Sequence, residues 1–481
     1  MTASLAADAR HAPTESPADA PKNVDELIAR GRAAMDALKG ASQERIDEAV
    51  TALAWSIYKP DNARALAELA VETTGLGDVD SKITKNTRKT FGTLRDLMRV
   101  KSTGIIEELP EKGLVKYAKP VGVVAAVTPS TNPSATPVNK AMMAVKGGNA
   151  VIIAPSPSAW IATNATVDGM RAELQKIGLP ADLVQILPSP VSKESTQEVM
   201  EKSDLIVCTG SQNNVKRAYS SGRPAIGVGA GNVPVIIDAS ADLADAAKKI
   251  CASKTFDHAT SCSSENCLVI VDEIYDAAIE ALKSAGGYMA SGDERTRVVE
   301  RLWQNGKLNR HVIARPTDAL IDVFELDASA RGCKFVMVEE SGIGANHPLS
   351  GEKLSLVLTV YRARDFAHAK QLVTEIAEFQ GKGHSVGIHT GDMAHAEELA
   401  RDMETVRVLV NQAHTFGNGG GFNNGLPFTL SMGCGTWQAN SISDNLNWRC
   451  FINITHLVTT IPEDKPAEEE LFGAYWEKWG K

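Results

Sequence analysis

Short apolar runs alternate with amphipathic stretches along the middle of the chain. The amphipathic stretches, at residues 136–147, 158–177, 191–202 and 211–219, have the spacing of helices. Strands that are apolar on both faces and alternate with helices predict a parallel, doubly wound α/β sheet, which binds nucleotides at the carboxyl ends of its strands. The predicted strands are Val121–Val127, Ala150–Ala154, Val184–Leu187, Asp204–Cys208 and Val233–Asp238.

The segments on either side have patterns of their own. Asn23 followed by Glu26 predicts a helix start with a capping box, and Ser42 opens a second helix with one apolar face. The helical pattern continues to about residue 102, and residues 104–119 alternate as in a hairpin that leaves the domain. A second α/β layer follows, with predicted strands at Leu268–Asp272, Lys334–Val338, Leu354–Tyr361, Ser385–His389 and Arg407–Asn411.

Composition narrows the class of protein. The chain is 43% hydrophobic and 23% charged, as in an ordinary globular protein, and its 481 residues predict two or three domains. A net charge of −9 without a basic block argues against nucleic acid or an anionic membrane as a partner. No apolar run approaches the roughly 20 residues that span a bilayer.

The cysteines and the first residues of the chain indicate where in the cell the protein is located. Seven cysteines without regular spacing indicate a reduced, cytoplasmic chain. Residues 1–21 are rich in Ala and Pro and lack the order of a signal peptide, so we predict a disordered lead-in.

Cys262 is the cysteine with the most polar surroundings. It lies in a predicted loop between a helix and a strand, among Thr, Ser, His and Asn, which can favour a thiolate; the alternative is a buried, inert thiol. Cys208, Cys267 and Cys333 lie in apolar strands and are predicted to be inert. Because no second pair of ligands has suitable spacing, we predict no metal site at Cys262 and Cys267.

Two loops follow strands of the first sheet. Thr128–Pro133 places Asn132 at a strand's carboxyl end, where its amide could donate to a developing oxyanion or merely cap the next helix. Gly227–Asn232 is similar to a dinucleotide fingerprint, but it ends in Asn and precedes a strand. We therefore interpret it as a loop that approaches another group closely.

Four segments together resemble motifs of the aldehyde dehydrogenase superfamily, in the branch whose acyl acceptor is coenzyme A. The resemblance covers nearly the whole ordered length. Thr128–Pro133 is similar to the family's oxyanion loop, and Val207–Ser211 to its cofactor-binding turn. Phe256–Glu265 is similar to the nucleophile motif, and Glu352–Ser355 to the Glu-x-Phe-Gly segment.

The resemblance implies a role for each matched residue. Cys262 would be the nucleophile, Asn132 the oxyanion donor, and Glu352 the residue that holds the nicotinamide ribose. The cofactor-binding set would comprise Thr128, Pro129, Ser130, Ala154, Pro155, Ser156, Thr209, Gly210, Ser211, Gly229, Gly231, Glu352 and Leu354.

Two departures from the family pattern are informative. Hydrolytic members carry a glutamate where this chain has Val228, so a thioacyl-enzyme would survive until coenzyme A arrives. NAD-specific members often carry an acid after the strand that ends at Ala154. None is present here, and Ser156 or Ser158 could bind a 2′-phosphate, so NADP is favoured and NAD stays open.

The substrate is indicated less directly. Asn411–Phe416 matches the stretch that lines the family's aldehyde tunnel, where Asn411 and His414 would meet the substrate; His414 could contact an anionic tail or merely cap the loop. The run 422–445 is most similar to that of members acting on sulfoacetaldehyde, and next to those acting on succinate semialdehyde. We therefore expect a small anionic aldehyde. Acetaldehyde is an alternative substrate. The alternative functions are a hydrolytic aldehyde dehydrogenase, an acyl-phosphate reductase and a catalytically silent protein. Cys434, within this run, is predicted to be structural.

The implied fold has three parts. A Rossmann-like cofactor domain would comprise residues 22–103 and 121–238, and a catalytic α/β domain residues 239–440. An oligomerisation arm and tail, residues 104–120 and 441–481, would make a homodimer or homotetramer.

Overall fold

The computed structural model describes residues 23–304 and 306–481, so the predicted lead-in lies outside the described residues. Helices come first. Asn23 and Ser42 cap the first two, their side chains accepting hydrogen bonds from the backbone N–H groups of Glu26 and Arg45. The helices are Val24–Met35, Gln43–Tyr58, Pro60–Thr74, Val79–Thr84 and Thr90–Met98, with a π-helical turn at Lys85–Lys89 before the last.

The predicted doubly wound sheet is confirmed. Five parallel strands lie in the order Val184–Ile186, Ala150–Pro155, Val123–Thr128, Leu205–Cys208 and Ala225–Gly227. The helices that accompany them are Ala135–Lys146, Trp160–Lys176, Lys193–Lys202 and Gln212–Tyr219. Thr128 is paired with Pro155, and Cys208 with Gly227, so the carboxyl ends share one edge of the sheet.

A second parallel sheet has seven strands. Their order is Gly287–Ala290, Phe335–Glu339, Val357–Ala363, Glu265–Val271, Val233–Ile237, Val386–His389 and Val408–Val410. Val233–Ile237 lies within the predicted cofactor domain, but it pairs with Glu265–Val271. This strand therefore belongs to the second sheet. An apolar run predicts a buried strand but does not indicate which sheet the strand joins. The helices here are Leu243–Thr255, Tyr275–Ser284, Asp293–Leu302, Thr317–Phe324, Phe366–Phe379, Met393–Asp402 and the short His414–Gly417.

The predicted hairpin forms part of a separate antiparallel sheet. Gly104–Leu109 pairs with Leu114–Pro120, which pairs in turn with Ile452–Val458. Ile454, Leu457 and Val458 are exposed on the last strand. A final helix, Glu468–Trp479, has no buried residue. Among the described helices, none is both long and apolar enough to cross a bilayer.

Candidate active site

Cys262 lies, partly exposed, on the loop between the helix Leu243–Thr255 and the strand Glu265–Val271. The loop begins with three successive left-handed residues, Asp257, His258 and Ala259, at φ values of 50°, 50° and 59°. Non-glycine residues rarely adopt this conformation, and each costs on the order of 1 kcal/mol or more. The surrounding structure must therefore hold the loop in place.

A buried ion cluster supplies that hold. The Asp257 carboxylate accepts hydrogen bonds from the ammonium groups of Lys82, at 3.1 Å, and Lys85, and from the backbone N–H of Asp78 at 2.9 Å. Burial alone would raise the pKa of Asp257, but the two lysine charges outweigh it and keep that pKa below its ordinary value. Burial lowers the pKa of Lys82 to about 8. The first helices thus anchor the cysteine loop.

Lys82 also contacts the segment that carries Asn132. Its ammonium donates to the backbone carbonyl of Thr131 at 3.1 Å, while it binds Asp257 at the other side. Asn132 is partly exposed and lines a small cavity together with Lys82 and Lys85. One buried lysine therefore joins the segment that carries Asn132 to the loop that carries Cys262.

The glycine loop packs directly against Cys262. A Cβ atom at Gly231 would lie 2.7 Å from the Cβ of Cys262, and one at Gly229 would lie 2.7 Å from the Sγ of Cys434. Gln438 locks the loop by donating to the carbonyl of Ala230 at 3.0 Å and accepting from its N–H at 2.8 Å. The close approach predicted for this loop is therefore to the protein's own cysteines.

Burial dominates the acidity of Cys262. It raises the pKa of the thiol to about 12, and the neighbouring Glu352 and Cys434 raise this pKa further. A hydrogen bond with Ser263 and the charge of Arg407 act in the opposite direction. Desolvation of the charged sulfur therefore outweighs the polar neighbours that were expected to favour the thiolate.

A buried arginine is linked by hydrogen bonds to the loop that carries Cys262. Arg407 donates from Nε to Asn418 at 2.8 Å and from Nη2 to the carbonyl of Gly433 at 2.7 Å. Asn418 in turn donates to the hydroxyl of Ser263, beside Cys262, at 2.8 Å. Sequence reasoning missed Arg407 and Asn418, since neither belongs to a motif and their partners are distant in the chain.

The shared edge of the first sheet offers room for a nucleotide. A Cβ at Gly210 would have no heavy atom within 4 Å, while the Thr209 hydroxyl is fixed 2.6 Å from that of Ser431. The hydroxyls of Ser156 and Ser158 lie 3.3 Å apart beyond Ala150–Pro155. Small residues and free space at the carboxyl ends of parallel strands fit a dinucleotide.

Glu352 acts on Cys262 through its charge, which raises the pKa of the thiol. Burial raises the pKa of Glu352 itself to about 8, although Lys353 and Lys254 oppose this rise. Leu354 has a left-handed backbone, with φ of 45°, and its carbonyl accepts a hydrogen bond from Ala314 at 2.8 Å.

The residues predicted to meet the substrate have other partners. Asn411 accepts from the N–H of Thr390 at 2.9 Å and donates to its carbonyl at 2.8 Å. His414 is buried, its ring lies 2.9 Å from the Ser385 hydroxyl, and burial lowers its pKa to about 3. A neutral, enclosed imidazole does not suit an anionic tail, so the alternative that His414 caps the loop fits better.

Val228 is the residue that the family resemblance matches to the base of hydrolytic members. It is 8% exposed, and its N–H donates to the carbonyl of Cys208 at 3.3 Å. An apolar side chain there cannot accept a proton from water. Across the described part of the chain, no group of three or more His, Cys, Asp or Glu side chains could hold a metal ion.

The sequence and the structure are both similar to those of known aldehyde dehydrogenases. The profile of the aldehyde dehydrogenase family matches residues 8–300. Sulfoacetaldehyde dehydrogenase (acylating) from Cupriavidus necator is 49% identical over 470 residues, which cover 98% of this chain and 95% of that protein. The protein of the same name from Bilophila wadsworthia is 43% identical over 465 residues, covering 96% and 100%. An acetylating aldehyde dehydrogenase from Geobacillus thermoglucosidasius has a crystal structure that matches with a TM-score of 0.89 and 34% identity, covering 92% of this chain and 98% of that one.

Proposed function

The chain belongs to the aldehyde dehydrogenase family, and we propose that it oxidises sulfoacetaldehyde to sulfoacetyl-coenzyme A with a nicotinamide cofactor. It is a coenzyme-A-acylating member of that family. The observation that carries the acylating chemistry is the buried Val228, which leaves the thioester on Cys262 without the base that activates water in hydrolytic members. The substrate is supported by the names of relatives at up to 49% identity.

The first step forms a covalent bond to the aldehyde. The sulfur of Cys262, as the thiolate, adds to the carbonyl carbon, and the electron pair of the C=O bond moves to oxygen. The Asn132 amide and the backbone N–H of Cys262 donate to this oxyanion. Lys82 contributes by holding the Asn132 segment against the loop of Cys262.

The cofactor binds at the shared edge of the first sheet. Thr209, Ser211 and Ser156 would hold its phosphates and ribose, and Glu352 the ribose next to the nicotinamide. When bound, the nicotinamide accepts the hydride that leaves the substrate carbon. We propose NADP as the preferred form, because the segment after Ala150–Pro155 carries two serines and no acid.

Release of the product needs a thiol. Loss of hydride leaves an acyl group in thioester linkage to Cys262. Coenzyme A loses its thiol proton to solvent and attacks this carbonyl as the thiolate, and the Cys262 thiolate leaves. One thioester thus replaces another with little general-base help. The same geometry serves the reverse reaction.

We also propose that the enzyme is a homodimer or homotetramer. The antiparallel arm forms a sheet of its own, and its last strand, Ile452–Val458, exposes apolar side chains. Light scattering at several protein concentrations measures the mass directly. A strictly monomeric, active enzyme would refute this part of the proposal.

The decisive experiment measures reduced cofactor from sulfoacetaldehyde with and without coenzyme A, using NADP+ and NAD+ in parallel. We expect turnover only with coenzyme A, and faster turnover with NADP+. Cys262→Ser serves as the inactive control. Equal turnover without coenzyme A would mean a hydrolytic enzyme, and turnover of acetaldehyde but not sulfoacetaldehyde would refute the substrate.

A second variant tests the oxyanion role. Removing one oxyanion donor typically lowers kcat by about a hundredfold or more, so we expect a loss of that size for Asn132→Ala. Its Cys262 should still react with iodoacetamide at the wild-type rate, because the thiol itself is unchanged. Full turnover by Asn132→Ala would exclude the role.

A further inference from the structure

Arg88 lies in an enclosure of phenylalanine rings. Its guanidinium carbon is 5.5 Å from the ring centroid of Phe416, 5.6 Å from that of Phe422 and 5.5 Å from that of Phe428. The π-helical turn Lys85–Lys89 carries the arginine into this position. We call the rings of Phe416, Phe422 and Phe428 the phenylalanine enclosure.

The cations next to Arg88 are all engaged. The ammonium of Lys85 binds Asp257, that of Lys89 donates to the carbonyl of Gly419 at 2.7 Å, and Arg95 donates to Asp96 at 2.8 Å. Each neighbouring charge therefore already has an anion or a carbonyl within hydrogen-bond distance.

Arg88 differs from these neighbours. Its Nη1 atom is buried and, among the described residues, has no hydrogen-bond partner. No carboxylate of the described chain forms an ion pair with it, and its contacts are with ring faces. Arg88 as a whole is partly exposed, but an enclosed guanidinium N–H without an acceptor is costly, and an anionic ligand would supply the missing acceptor.

The phenylalanine enclosure borders the loop of the nucleophile. The ring of Phe416 packs on that of Phe256 with centroids 4.7 Å apart, and Phe256 directly precedes the anchored Asp257. Two residues beyond Phe416, Asn418 donates to Ser263, the neighbour of Cys262. Arg88 therefore belongs to the surroundings of the loop at which the aldehyde reacts.

We propose that Arg88 binds the sulfonate group of the substrate and selects anionic over neutral aldehydes; the identity of that anion rests on the function proposed above. A guanidinium presents parallel N–H donors that match two oxygens of a sulfonate. The rings contribute no carbonyl or carboxylate that would compete with the sulfonate for the guanidinium N–H groups. The predicted anion-binding residue, His414, is neutral and enclosed, whereas Arg88 carries the required charge.

The test compares two aldehydes that differ in charge. Sulfoacetaldehyde and acetaldehyde are assayed with wild type, Arg88→Met, Arg88→Lys and the control Arg95→Met, whose arginine also lies over Phe422 and Phe428 but pairs with Asp96. For Arg88→Met we expect kcat/KM to fall about a hundredfold for sulfoacetaldehyde, mainly through KM, and to stay within about threefold for acetaldehyde. Arg88→Lys should fall between the two, and Arg95→Met should discriminate like wild type. Equal losses on both aldehydes, or no loss on sulfoacetaldehyde, would overturn the proposal.

An unreactive anion separates this inference from the identity of the substrate. Ethanesulfonate should inhibit acetaldehyde turnover competitively in wild type, and about a hundredfold more weakly in Arg88→Met. If wild type rejects sulfoacetaldehyde while this inhibition still requires Arg88, the proposed substrate fails and the anion site stands. Equal inhibition of both proteins, or of neither, removes the anion site. Should Arg88→Met lack acetaldehyde turnover, Arg88→Gln, which is neutral and polar, takes its place.

Discussion

Gly231 and Cys262 are in such close contact that position 231 has no room for a side chain. The Cβ atom of an alanine would lie 2.2 Å from the carbonyl oxygen of Cys262. Because that atom belongs to the backbone, it cannot rotate away. The nucleophile's position is therefore set by the absence of a side chain on a neighbouring loop.

Gly231→Ala should displace the nucleophile. We expect the free energy of unfolding to fall by about 1–3 kcal/mol, as for other overpacked sites, and turnover to fall by at least about tenfold. Denaturant unfolding and steady-state kinetics measure the two effects. Gly473→Ala, where the added Cβ meets no heavy atom within 4 Å, is the matched control. It should leave turnover unchanged and, because Gly473 lies inside a helix, raise the free energy of unfolding by no more than about 1 kcal/mol. A Gly231→Ala enzyme with wild-type kinetics would contradict the packing argument.

Glu352→Gln should make Cys262 more reactive in the absence of cofactor. The negative charge of Glu352 raises the pKa of Cys262, so its removal leaves more thiolate at a given pH. Because the pKa of Glu352 is about 8, this charge is present mainly above that pH. The ratio of alkylation rates, variant to wild type, should rise with pH through about 8 and reach roughly threefold.

Iodoacetamide labelling, followed by mass spectrometry of the Cys262 peptide, gives these rates. The exposed Glu397→Gln is the control and should follow wild type at every pH. A rate ratio that does not change with pH would show that Glu352 does not act on Cys262 through its charge.

Asp257→Asn should destabilise the protein strongly. It leaves Lys82 and Lys85 buried without their shared counterion, and loss of one partner from a buried pair typically costs about 3–5 kcal/mol. Asp276→Asn, whose side chain is 92% exposed, should change stability by less than about 0.5 kcal/mol. Denaturant unfolding at neutral pH distinguishes the two.

The pH dependence of the Asp257 contribution has a definite sign. The native pKa of Asp257 is lowered, so its stabilising effect is complete above the unfolded value of about 4 and is lost as the pH falls through the native pKa. The stability difference between wild type and Asp257→Asn should therefore shrink on acidification. A difference that grows toward low pH would contradict the assignment.

Val228→Glu should confer hydrolysis. A carboxylate in this buried position gains a raised pKa and can accept a proton from water, so turnover without coenzyme A should rise at least about tenfold. Val228→Gln has a similar shape without a base and should not rise. The assay follows reduced cofactor and free acid with coenzyme A left out. A folded Val228→Glu enzyme that still depends wholly on coenzyme A would show that the position is too distant from the thioester.

The sequence predicted most of the architecture, because strands buried on both faces are marked by continuous apolar runs. It missed the strand Ala225–Gly227, whose three residues give no periodic signal. Cys262 stood out by its polar neighbours. The direction of its pKa shift, however, depends on burial and on the charge of Glu352, a residue distant in the sequence.

The cationic turn Lys85–Lys89 shows why the rest of the site was not predictable. A run of lysines and arginine on a helix usually faces solvent, but Lys85 and Lys89 are buried here. Their partners, Asp257 and Gly419, lie far away in the sequence. Only the tertiary structure shows that these charges are internal.

The anchoring of Asp257 by Lys82 and Lys85 has a consequence for protein engineering. The loop of the nucleophile belongs to the second half of the chain, but the lysines that hold it come from the first hundred residues. Chimeras that exchange the second parallel sheet between family members must therefore exchange, or rematch, these two helical positions as well. Recombination that ignores them leaves a complete set of reacting groups on a scaffold that cannot keep them in place.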